Sequence, residues 1–126
     1  MLEVRSTIFG FPPPQSSSSV ELHPSGICRL VAACVAADFG LAAAALETGL
    51  RGSQPAAHAR QIAMYLAHIG FGLSFEIIGH AFGRDRTTIA HACRVVEDAR
   101  DDIRFDCRVA TLDLICRRVA TGGDGR

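Results

Sequence analysis

Residues 84–94 of this 126-residue chain read Arg-Asp-Arg-Thr-Thr-Ile-Ala-His-Ala-Cys-Arg. A helix opened by Asp85 would bury Ile89, Ala92, Cys93 and Val96 on one face. Subtraction leaves Thr87, Ala90, His91 and Arg94 on the other face, with Arg86 at the N-terminal tip. These types match the groups on base edges. Arg86 can donate a bidentate pair to guanine O6 and N7, or bond a phosphate. Thr87 and Thr88 offer a methyl for thymine and a hydroxyl for a base edge or phosphate. Asp85 can accept from cytosine N4 as well as cap, and Ala90 lets the helix approach a groove closely.

The helix needs a neighbour to present it. Ile78-Gly79-His80-Ala81-Phe82-Gly83 reads as a preceding helix stopped by glycine, so two helices meet at a tight turn. That is the helix-turn-helix plan. Shape alone leaves an ordinary solvated helix as an equal reading; the ordered Arg-Asp-x-Thr-Thr string is the more specific signal.

Apolar residues elsewhere repeat at helical spacing. Ser25 is a plausible cap for a first helix through Ile27, Leu30, Val31, Cys34 and Val35, stopped by Gly40. Leu41 to Glu47 forms a short alanine-rich second helix, and Thr48 to Pro55 a loop carrying Arg51. Ala56 to Ile69 follows, with Ile62, Tyr65, Leu66 and Ile69 as its inward stripe, ended by Gly70 and Gly72. Ser74 caps the next helix, with Glu76 in its first turn. Asp101 and Asp102 open the last helix, where Ile103, Cys107, Ala110 and Leu114 form the expected core face. The fold class is therefore all-α, about six helices, with no strand. Three segments are expected: a disordered Pro/Ser-rich tail over 1–24, one domain over 25–120, and a flexible C-terminus over 121–126.

Composition narrows the function classes. Hydrophobic residues make up 48% and charged ones 21%, as in a folded core, and the formal net charge is zero, which argues against a non-specific DNA coater. The distribution is uneven. Residues 51–94 carry five arginines against Glu76 and Asp85, a net +3. Residues 95–106 carry Arg100 and Arg104 against five acids, a net −3. One face suits phosphates. The acidic run 97–106 is either a solvated helix junction or a docking site for a protein such as RNA polymerase or another regulator. All basic residues are arginine, the better bidentate reader, although a GC-rich genome produces the same bias.

Cys28, Cys34, Cys93, Cys107 and Cys116 lack CxxC spacing and are expected as buried reduced thiols. Neither the histidines nor the cysteines show ligand spacing, so no metal is expected, and no cofactor either. A Cys93–His nucleophile is set aside because Cys93 lies on the buried face. No GxxxxGK[ST] phosphate loop is present, so no ATPase or other enzymatic role is expected. Without an apolar run long enough to span a bilayer, no membrane contact is expected, and the place is the cytoplasm, on the nucleoid.

Three stretches together resemble the C-terminal DNA-binding domain (domain IV) of the bacterial replication initiator DnaA, a Trp-repressor-like fold. They are Ala59 to Ala67, the Ile78-Gly79-x-Ala81-Phe82-Gly83 segment, and Arg84-Asp85-Arg86-Thr87-Thr88-Ile89-x-His91-Ala92-Cys93-Arg94. The resemblance implies binding to double-stranded DNA. Asp85, Arg86, Thr87 and Thr88 would read the major groove, and Arg51 would enter the minor groove. Arg60 and Arg94 would hold phosphates, and His91 would lie at the groove edge or on a phosphate. Ser74 and Arg84 complete the implied DNA-binding set.

The chain departs from the family pattern at three places. Arg86 replaces the usual histidine, the upstream loop keeps only Arg51 of its basic residues, and Val95 replaces a common lysine. Each lost phosphate contact weakens binding and flattens its salt dependence. The reading is of a stand-alone transcription regulator without ATPase activity. Two others compete with it: a protein-interaction module docking on RNA polymerase or the initiator, and a competitor at initiator boxes. A homodimer is a further candidate assembly, because one reading head makes few contacts.

Overall fold

The computed structural model describes residues 23–47 and 54–122. Among them are six α-helices and no strand: α1 Pro24–Phe39, α2 Ala44–Glu47, α3 Gln54–Phe71, α4 Phe75–Phe82, α5 Arg86–Ala99 and α6 Ile103–Ala120. No helix is long and apolar enough to cross a membrane.

Local chemistry sets most helix ends. Ser74, Asp85 and Asp102 are extended N-caps whose side chains accept from Ile77 N, Thr88 N and Arg104 N. Each satisfies an amide that the first turn leaves without a carbonyl. α1 departs from expectation: His23 is its cap, accepting from Ser25 N, and Pro24 takes the first turn, where a missing N–H costs nothing. α3 starts two residues earlier than the loop reading allowed, because Pro55 also fits a first turn. The tail expected over 1–24 lies outside the described residues up to 22, as do 123–126.

α3 is the centre of the molecule. Ala59, Ile62, Ala63, Met64, Leu66 and Ala67 are all buried, so the helix is enclosed on several sides rather than along one stripe. Its alanines let α1 and α5 approach closely. Ile69, expected inside, lies exposed near the end of the helix. Val31 and Val35 of α1, Ile78 and Phe82 of α4, and Ile89 and Val96 of α5 close the core around it.

α6 reverses its expected orientation. Val109, Leu112 and Cys116 are buried, with Phe105 packed against the core. Ile103, Cys107, Ala110 and Leu114 all face solvent. Both sets have helical spacing, and the neighbours on α1 and α3 decide between them. Arg108 fixes the choice from the α1 side, pairing with Asp38 at 2.7 Å with its guanidinium 4.5 Å above the Phe39 ring. Cys107 is thus exposed and Cys34 half-buried, whereas Cys28, Cys93 and Cys116 are buried as expected.

Candidate nucleic-acid interface

The turn between α4 and α5 is built by two glycines. Gly83 has φ +69°, the left-handed region that favours glycine, and closes α4: its N–H bonds His80 O while Arg84 N bonds Gly79 O at 2.9 Å. Gly79 allows the close approach. A Cβ there would meet the Arg84 carbonyl oxygen at 2.6 Å. A side chain at that point would displace the backbone from which the second helix starts.

α5 then presents its tip as the residue types require. Ile89, Ala92, Cys93 and Val96 are buried, and Arg86, Thr87, Thr88, His91 and Arg94 are exposed, with Ala90 half-buried between them. Asp85 organises the first turn. Its Oδ1 accepts from Thr88 N at 3.1 Å and from the Thr87 hydroxyl at 2.8 Å. Those bonds, the Thr87 hydroxyl first, hold its carboxyl below the ordinary range. Among the described residues, no side chain of the domain pairs with the Arg86 or Arg94 guanidinium, so both are available at the surface.

The flanking residues take different positions. Ser74 is exposed beside α4, its Oγ accepting from Ile77 N at 3.1 Å. Arg84 is half-buried in the turn and donates from Nη1 to Phe82 O at 3.5 Å. Arg51 lies outside the described residues.

Arg60, which the resemblance implies as a phosphate contact, stands apart from the other candidates by its burial. It is 9% exposed, and donates from Nε to Leu46 O at 3.0 Å and from Nη2 to Ala45 O at 3.4 Å. The guanidinium satisfies the open carbonyls at the C-terminal end of α2, where a positive charge is favoured. Burial, and then the charge of Arg84, lower its pKa below the ordinary arginine value. Arg60 and Arg84 therefore form one positive region behind the turn. Spacing gave no signal of this, because the carbonyls come from 14 residues upstream.

The acidic run 97–106 is largely engaged by partners within the molecule. Tyr65 donates its hydroxyl to Glu97 Oε1 at 2.5 Å and accepts from Arg100 Nη1 at 3.0 Å. Arg100 Nε in turn bonds Asp106 Oδ1 at 2.5 Å. Asp102 caps α6. Only Asp98 and Asp101 stay exposed without such a task. The network ties α3 to the α5–α6 corner. Burial of Cys93, helped by Glu97, pushes its thiol up to about 11, so it is no nucleophile near neutral pH. Among the described residues no group of His, Cys, Asp and Glu could hold a metal ion.

Similarity to known proteins follows this geometry. Residues 28–96 match the family model for the bacterial DnaA protein helix-turn-helix. The chain is 31% identical over 99 residues to chromosomal replication initiator protein DnaA 2 of Chlamydia caviae, covering 79% of this chain and 20% of that protein. It is 49% identical over 62 residues to the chromosomal replication initiator protein DnaA of an Azoarcus species, covering 46% of this chain and 13% of that one. A crystal structure of a DNA replication initiation factor superposes with a TM-score of 0.67 at 28% identity, over 74% of this chain and 29% of that chain. The chain thus spans about a fifth or less of the length of these initiators. The match covers the helix-turn-helix and the helices that carry it, and the chain belongs to the bacterial DnaA helix-turn-helix family.

Proposed function

We propose that this chain is a sequence-specific regulator of transcription that binds double-stranded DNA. In this reading α5 enters the major groove, with Arg86, Thr87 and Thr88 on base edges and Asp85 holding Thr87 in place. Arg51 enters the neighbouring minor groove, and Arg94, His91, Ser74 and Arg84 lie toward the backbone. One observation carries the reading: the exposed tip of α5 is polar, with the Arg86 guanidinium unpaired among the described residues, while its opposite face is committed to the core. Arg60 acts in it by position, bracing the end of α2, the helix that precedes Arg51 in the chain. No nucleotide chemistry is assigned to these residues, and the site of action is the nucleoid.

Selection of bound sequences from a random duplex pool, at two salt concentrations, tests the proposal. An enriched motif supports it, and no enrichment at either salt overturns it.

A second reading, competition at initiator boxes, draws support from the 49% identity over 62 residues to an initiator. It differs in its target, since Arg86 changes the group offered to the base. Direct binding to such boxes separates the two. Docking on RNA polymerase or another regulator through 97–106 has only Asp98 and Asp101 as free acids to rest on. A single reading head makes few contacts, so the regulator reading includes a second copy of the chain on a neighbouring site.

A further inference from the structure

Two cysteines meet where α6 packs on α1. Cys34 of α1 and Cys116 of α6 hydrogen-bond each other through their side chains. A second contact fixes the register of the two helices: Arg108 of α6 pairs with Asp38 of α1 at 2.7 Å. Asp38 lies about one turn beyond Cys34, and Arg108 about two turns before Cys116, so both contacts follow one seam in opposite chain directions. Cys116 is 0% exposed in the core, whereas Cys34 is half-buried at its edge. At about 100° per residue, Cys107 falls on the face of α6 opposite Cys116, where it is exposed. Neither thiol of the pair belongs to the proposed DNA-binding set.

We propose that Cys34 and Cys116 form an oxidation site, joined as a reversible disulfide when the protein meets a peroxide. Entry is at Cys34, the member that solvent reaches. Its sulfur attacks one peroxide oxygen and the O–O bond breaks. Cys34 becomes a sulfenic acid, and the departing hydroxide takes the thiol proton as water. The Cys116 sulfur, already in contact, then attacks the Cys34 sulfur. The S–S bond forms, the S–O bond breaks, and the leaving hydroxyl carries off the Cys116 proton as a second water. Two thiols lose two electrons, and one peroxide is reduced to two waters. An external dithiol reverses the link by exchange and is itself oxidised to a disulfide. Burial, and then the neighbouring Cys34, push the Cys116 thiol up to about 12, so its part is to resolve the sulfenic acid and not to meet the peroxide.

The loop closed by this link runs from residue 34 to residue 116 and encloses α2 to α5, with the whole reading head inside it. A cross-link over so long a loop removes conformational freedom chiefly from the unfolded chain. Oxidation therefore stabilises the domain and leaves the tip of α5 unaltered. The proposal does not depend on the regulator reading.

Hydrogen peroxide treatment of the native full chain tests it, followed by alkylation of the remaining thiols in urea and digestion without reduction. Mass spectrometry should find a peptide pair joined through Cys34 and Cys116. The linked chain should melt roughly 10 °C higher than the reduced one. Dithiothreitol should remove both the link and the rise. Cys34→Ser should lose both, and Cys116→Ser should leave Cys34 as a sulfenic acid that dimedone traps. Should Cys116→Ser fail to fold with a hydroxyl in the core, the mapped link in the unaltered chain and the half-buried Cys34→Ser variant decide the matter. Free thiols at both positions after treatment overturn the proposal, as does Cys34 carried on to a sulfinic acid without the link. A link that forms only when peroxide is added in urea overturns it too, as does a linked chain that melts no higher than the reduced one.

Discussion

The Thr87 hydroxyl donates to Asp85 Oδ1 at 2.8 Å, and the same oxygen accepts the Thr88 amide at 3.1 Å. One carboxylate oxygen therefore caps α5 and fixes the side chain that follows Arg86 at the reading tip. In the proposed complex Thr87 would meet a base with its hydroxyl hydrogen already committed, leaving its methyl and the oxygen lone pairs to be read. Asp85→Ala should lower the melting temperature and loosen the preference at the base facing Thr87. Asp85→Asn, which can still accept, should do less of both. Melting curves and duplex selection on the two variants check this.

The same contact has a pH signature. The folded Asp85 carboxyl lies below its ordinary value of 3.8, so its contribution to stability is complete above that value. It is lost as pH falls through the depressed folded value. Carboxyl titration by nuclear magnetic resonance should show Asp85 ionising at a lower pH than an unpaired aspartate. Asp85→Asn should flatten the acid limb of the stability curve.

Arg86→Ala should cost roughly 1–3 kcal/mol on the best site and relax the preference at one base position. Duplex titrations against a panel of single-base variants measure both. Unchanged affinity and preference would show that α5 does not read bases.

Arg60→Ala should destabilise the fold by roughly 1.5–3 kcal/mol, since it leaves the Ala45 and Leu46 carbonyls without their charged donor. Urea unfolding measures this. A fully stable variant with weaker binding to all duplexes would return Arg60 to the role of a simple phosphate contact.

Gly79→Ala should destabilise by about 1–3 kcal/mol, because the added methyl meets the backbone of the turn and not a side chain that can swing away. Thermal unfolding against a surface control such as Ala110→Ser provides the check.

Thiol labelling should divide the cysteines. Cys107 is exposed and should react quickly. Cys93 and Cys116, pushed up to about 11 and about 12 chiefly by burial, should react only as the protein opens. Labelling rates read by mass spectrometry, with and without urea, distinguish them.

The reading head was legible because its signals are local. Asp85 caps the helix three residues from the amide it serves, Gly83 stops the one before, and Ile89, Ala92, Cys93 and Val96 alone give α5 an unambiguous inward face. α6 was not legible. Ile103, Cys107, Ala110 and Leu114 compete at the same spacing with Phe105, Val109, Leu112 and Cys116, and the solvent side carries aliphatic residues, Ile103 and Leu114, as large as the buried Leu112. Arg60 likewise reads as one more basic residue until α2 is seen to end against it.

By itself, then, the sequence determined the all-helical class, most helix ends and the polar tip of α5, because caps, glycine stops and a one-sided apolar pattern act within a turn or two of the chain. Tertiary structure decided which face of α6 turns inward, that Arg60 serves the end of α2, and that Glu97 and Asp106 are tied up with Tyr65 and Arg100. The Arg60 and Tyr65 contacts join groups 14 to 35 residues apart, and the Arg108–Asp38 pair beside α6 joins groups 70 apart. Only packing brings such groups within hydrogen-bond reach, and no local propensity encodes it.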